Sequence, residues 1–151
     1  MQDWTFSRKK TVRFEGYKLL IDFPKTSSYY QNLPFIGEEE HCGCMYCRNY
    51  VEAILSFPES VQVLFHELGA DLRKDAYVSH FFEDNKHYYI SSYKVFGKIL
   101  SKPELELIEI GNPNLEGYFK VGIQTIESSG NSVIDLYIKV ELPWLLENET
   151  N

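Results

Sequence analysis

Apolar and polar positions alternate with a period of two through most of this chain, and that period predicts strands. Residues 132–142 show it best. Ile134, Leu136, Ile138, Val140 and Leu142 point one way, and Asp135, Tyr137, Lys139 and Glu141 the other. This is the pattern of a half-buried antiparallel strand. Residues 117–126 supply its partner through a turn at Ser128, Ser129, Gly130 and Asn131. A second hairpin is expected from Tyr77 to Phe82 and from His87 to Leu100, around Glu83-Asp84-Asn85-Lys86. In residues 11–23, Tyr17, Leu19, Ile21 and Phe23 share one face, which reads as one strand stopped by Pro24. Residues 104–110 fit a short edge strand.

The period turns helical in the middle of the chain. Cys47, Tyr50, Val51, Ile54 and Leu55 recur at helical spacing, and so do Val61, Leu64, Phe65 and Leu68. Between them, Ser56-Phe57-Pro58-Glu59 reads as a capping box with proline in the first turn. Gly69 suits a left-handed C-terminal position. Residues 24–41 are rich in Pro, Ser, Asn and Gly and read as a long connection. The expected architecture is α+β: an antiparallel β-sheet or β-sandwich core of about five to seven strands, with an inserted helical hairpin at residues 47–69. One domain spans 1–151, and the tail 147–151 should fray.

Composition narrows the function classes. At 151 residues, 44% hydrophobic and 25% charged, the chain can bury a core without staples. Its net charge of −7 argues against binding a phosphate backbone, so no nucleic-acid partner is expected. The basic stretch Arg8, Lys9, Lys10 and Arg13 reads as a solvated strand start. No run of about 18 apolar residues exists, so no membrane span is expected. The opening MQDWTFSRKK lacks the apolar stretch of a signal peptide, which makes a cytosolic location the expectation. Aromatic residues reach 15%, with 11 Tyr, 10 Phe and 2 Trp. Such residues favour strands and broad contact surfaces.

Chemistry concentrates in HCGCMYCRNY, residues 41–50. All 3 cysteines of the chain lie there, as C-x-C-x-x-C at Cys42, Cys44 and Cys47. Gly43 allows the turn that three converging thiols would need. Zinc takes four tetrahedral sulfur or nitrogen ligands, so a fourth would come from His41, His66, His80 or His87, or from Glu39, Glu40 or water. Reduced thiols that simply pack are the equal alternative. A reactive thiol is a further reading, since Cys44 and Cys47 form a C-x-x-C at a helix start beside Arg48. The run Glu38 to Glu40 opposes that reading. No H-E-x-x-H, G-x-S-x-G, G-x-G-x-x-G or Walker loop is present.

The order C-x-C-x-x-C-R-N, the helix end Leu68 to Asp71, the segment Tyr93 to Ile99 and the terminal L-P-W-L-L-E resemble a family of small bacterial proteins of unknown function. The resemblance implies a bacterial, cytosolic protein and carries over no activity or catalytic residue. Together these features favour a non-enzymatic binding domain with an acidic, aromatic surface for a protein partner, in an immunity-like or regulatory role. Zinc held by the cysteines would stabilise it. The alternative is a thiol-redox or metal-dependent enzyme built on Cys42, Cys44 and Cys47.

Overall fold

A computed structural model describes residues 9–38, 43–74, 77–111, 115, 117–128 and 131–146. Seven strands join in one sheet in the order β1-β2-β4-β7-β6-β5, and β3 also pairs with β4. The strands are β1 Lys9–Phe14, β2 Tyr17–Asp22, β3 Tyr77–Glu83, β4 Lys86–Ser101, β5 Leu107–Glu109, β6 Phe119–Ser128 and β7 Asn131–Leu142. Every pairing is antiparallel. Among the described residues there are three helices: α1 Phe23–Gln31, α2 Met45–Ile54 and α3 Glu59–Leu68. The α+β class expected from the sequence is therefore present.

The first expected strand is in fact a hairpin. Glu15 and Gly16 both take positive φ, 45° and 87°, and turn β1 directly into β2. A two-residue hairpin loop with two positive φ angles matches the twist of its strands, and glycine takes that backbone without strain. Val12 and Phe14 of β1 and Tyr17, Leu19 and Ile21 of β2 then share the buried face.

The expected long connection begins instead as α1. Asp22 caps it, its carboxylate accepting from the Lys25 N–H at 3.1 Å, and Pro24 sits just inside the first turn. Proline is favoured there because its missing N–H has no helical partner to lose. This helix closes a gap in the sheet. Strand β2 pairs with β4 over Gly97–Ser101, and β3 pairs with β4 over Lys86–Ser92. Between those stretches α1 supplies the partners. The Phe96 N–H donates to Thr26 Oγ1 at 3.1 Å, and the Tyr30 hydroxyl donates to the Lys94 carbonyl at 2.8 Å. Strand backbone that would otherwise be an open edge is thereby satisfied.

Helices α2 and α3 lie against one face of the sheet. From β4 that face carries His87, Tyr89, Ser91, Tyr93 and Val95, all buried. Rings interlock edge to face: Phe65 with Tyr93 at 4.8 Å, and Phe57 with Phe119 at 4.9 Å. The layer also buries a chain of hydroxyls. Tyr93 donates to the Leu72 carbonyl at 2.8 Å. Its oxygen is then left to accept from Tyr50 at 2.7 Å, and Tyr50 in turn accepts from Ser91 at 2.7 Å. Burial pushes the Tyr50 and Tyr93 phenols far above their ordinary range. They are structural donors, since no neutral-pH chemistry could ionise them.

The helix boundary between α2 and α3 differs from the capping-box expectation. The N-cap of α3 is Pro58, with no side-chain cap, and Ser56 uses its N–H in a turn to the Ala53 carbonyl at 2.9 Å. Gly69 does end α3 in the left-handed conformation, φ 82°.

Candidate functional site

Cys44, Cys47 and two of the histidines lie at one corner, where the start of α2 faces the β3–β4 hairpin. Cys44 is the N-cap of α2, and its Sγ accepts from the Cys47 N–H at 3.4 Å. One turn of helix thus brings the two sulfurs to the same end. Cys47 is buried, Cys44 is partly so, and neither is in a disulfide. Tyr46, between them in sequence, stacks on the His80 ring at 4.0 Å and 14°.

The hairpin register explains the histidines. His80 pairs with Tyr89 and Phe82 with His87, so His80 and His87 are diagonal neighbours on the helix-covered face. His80 Nε2 and His87 Nδ1 lie 2.8 Å apart in a hydrogen bond that requires one ring to hold the proton and the other to accept it. His87 is 3% exposed. Trp144, just beyond β7, packs on His87 at 4.8 Å and on Tyr46 at 5.9 Å. Its buried Nε1–H has no hydrogen-bond partner. Tyr89 completes the corner by donating to the Tyr46 carbonyl at 2.9 Å. Burial raises the Tyr89 phenol, the amide of Asn49 pulls it back, and the nearby Cys47 and Cys44 thiols raise it further.

Of the expected ligands, Cys44, Cys47, His80 and His87 therefore share a neighbourhood. His66 does not join them. It is exposed on the last turn of α3 and lines a separate cavity with Phe23, Asp71 and Lys74. His41 and Cys42 lie outside the described residues, as do Glu39 and Glu40. Among the described residues, no three His, Cys, Asp or Glu side chains converge as a metal-ligand set. Sequence patterning did not point to Asn49 or Tyr46; it expected Trp144 only as a residue packing back onto the core after Pro143. A polar residue two positions after Cys47, on the buried stripe of a helix, was the available signal for Asn49.

The imidazole pair makes stability depend on pH. Burial, and then the neighbouring His87, holds His80 below the ordinary histidine value. The unfolded chain therefore takes up this proton first as pH falls, and stability is lost through the interval below about pH 6.5. Thermal unfolding should show the melting temperature falling between about pH 7 and pH 5. In His80→Phe, which keeps a ring on Tyr46 and removes the proton, the slope should be shallower. An unchanged slope would assign the effect to other groups.

Comparison of the chain with protein-family models, with curated proteins and with solved structures found no match in any of the three.

Proposed function

We infer that this protein is a non-enzymatic binding domain that takes a protein partner on the face of the sheet opposite α2 and α3. One observation carries the reading: the face opposite α2 and α3 bears a row of aromatic side chains in regular register. Phe81 of β3 stands opposite Tyr88 of β4, and Tyr88 stacks on Tyr118 at 6.0 Å and 20°. Tyr77 and Phe81 are 76% and 51% exposed. Ile90 and Tyr137 extend the same face. Tyrosines offer large, stiff contact area at low entropic cost, which is what recognition surfaces use.

The charges on this face are mixed. Lys120 lies over the Tyr118 ring at 4.9 Å, and Lys86 approaches Glu141 at 3.9 Å. Apolar contact rather than net charge therefore leads the reading. The thiol corner belongs to it as an anchor for α2, and zinc on the cysteines would strengthen that anchor. What favours this is the shared corner of two thiols and two imidazoles at the helix start.

Photo-crosslinking in cells tests the proposal, with benzoylphenylalanine placed at Phe81 and, as control, at Leu55, which is 86% exposed in the turn after α2. A discrete protein adduct from position 81 and none from position 55 is the expected result. No adduct, or the same adducts from both positions, would count against it.

A further inference from the structure

We propose that a cavity at the rim of the sheet is a binding site for an organic cation, an ammonium or guanidinium group. It lies between the β4–β5 connection and the part of β6 beyond β5, and it measures about 490 Å³. Tyr17 from β2, itself 3% exposed, and Tyr137 from β7 line it, with Glu104 and Glu106. A cation beside tyrosine and glutamate side chains gains π and ionic attraction.

The walls are fixed rather than loose. The Tyr17 hydroxyl donates to the Glu106 carbonyl at 2.8 Å and accepts from the Ile123 N–H at 3.3 Å. This bridge ties the connection that carries both glutamates to the edge of β6. Tyr137 lies over Gly122, the one residue type that leaves room for its ring there.

Behind the wall sits Asp135, which has no ion-pair partner among the described residues; Lys94 stands opposite it in register, with its Nζ over the Tyr29 ring. Asp135 is 7% exposed, and among the described residues its oxygens accept from neutral donors, the Ser92 hydroxyl and, at 3.0 Å, the Gln124 amide. Gln124 itself lines the cavity. A buried carboxylate ordinarily has a cation in reach, because neutral hydrogen bonds alone offset its desolvation poorly. The negative field reaches the cavity: after burial, Tyr17, Glu106 and Asp135 all oppose ionisation of the Tyr137 phenol. Lys102 also lines the rim, exposed, and leaves the carboxylates in excess. The acidic lining disfavours an anion.

The site stands whether or not the open face takes a protein. A free amine and an arginine side chain share the required chemistry, so two probes separate them. Backbone amide shifts of the full chain would be followed by NMR during titration with agmatine and with acetyl-arginine amide. Acetyl-citrulline amide serves as the uncharged control. Saturable shifts at Ser101, Gln124 and Thr125 with either cation, with a Kd of about 1 mM, are expected. Agmatine alone would mark a free-amine site, and acetyl-arginine amide as well would admit a side chain. The double variant Glu104→Gln/Glu106→Gln, at exposed positions, should fold normally and bind about tenfold more weakly. No saturable shift with either cation, equal shifts with the citrulline control, or unchanged binding in the variant would overturn the proposal.

Discussion

Gly97→Ala should destabilise the protein by about 3 kcal/mol, through a backbone collision that no side chain can relieve. Gly97 is where β4 passes from its β3 neighbour to β2, and it pairs with Ile21. A Cβ there would run into the carbonyl oxygen of Leu20 and would sit 3.1 Å from the Ile21 Cα. Backbone atoms cannot swing aside as a lysine tip can, so β2 must move away from β4. Leu19 and Ile21, both 0% exposed, would lose their packing with it. For a chain of this size the expected fall in melting temperature is about 9 °C. Hydrogen exchange should localise the damage, with protection lost in β1 and β2 first and retained in β7. Gly111 gives the control, since nothing lies within 4 Å of a Cβ built there. Gly111→Ala should change stability by less than about 0.5 kcal/mol. A Gly97→Ala protein as stable as that control would refute the collision.

How far the fold could be read from the chain depends on whether a signal was local. The β3–β4 and β6–β7 hairpins follow from alternation interrupted by turn residues, and Asp84 and Asn85 do take positive φ, 54° and 62°. Both helices at residues 45–68 follow from apolar spacing. The β1–β2 hairpin was also written locally, as a change of phase. Buried positions run Val12, Phe14 and then Tyr17, Leu19, Ile21, shifting from even to odd across Glu15-Gly16. Because Phe23 continues the odd series, one strand looked sufficient. The start of α1 was legible too, in Asp22 followed by Pro24, an N-cap and a first-turn proline. Reading Pro24 as a strand stop hid the second meaning of the same residue.

The candidate corner divides along the same line. The diagonal placement of His80 and His87 follows from the hairpin register alone. The grouping of Cys44 with Cys47 follows from one helical turn. What joins the two pairs is long-range. Tyr46 meets His80, and Trp144 meets His87, only because α2 and the segment after β7 fold onto the same face. No alternation or spacing encodes contacts between residues dozens of positions apart. The sheet-rim cavity is likewise a product of topology, since Tyr17, Glu106 and Tyr137 come from three distant parts of the chain.

Asn49 is a polar clamp in this long-range joint, and Asn49→Ala should cost about 3 kcal/mol by opening it. Asn49 is 0% exposed on α2. Its Nδ2 donates to the Pro143 carbonyl at 3.1 Å and to the Tyr89 hydroxyl at 3.4 Å. Its Oδ1 accepts from the Leu145 N–H at 2.7 Å. Both sides of Trp144 are therefore held by one amide. Alanine strands the Leu145 N–H and the Pro143 carbonyl and leaves a hole the size of the amide. Each orphaned group costs about 1 kcal/mol or more, and the cavity adds to that. The specific outcome is release of Trp144 from His87 and Tyr46. In a Trp4→Phe background, where Trp144 is the remaining tryptophan, its emission should shift to the red while far-ultraviolet circular dichroism stays nearly unchanged. Asn49→Asp separates shape from donor capacity. Its carboxylate can still accept from Leu145, but it has no N–H for Pro143 or Tyr89, and it buries a charge. It should therefore be at least as unstable as alanine near neutral pH and recover part of the loss at about pH 4, where the carboxyl regains a proton to donate. A clamp that merely filled space would show the reverse ranking, with Asn49→Asp close to the native protein at every pH.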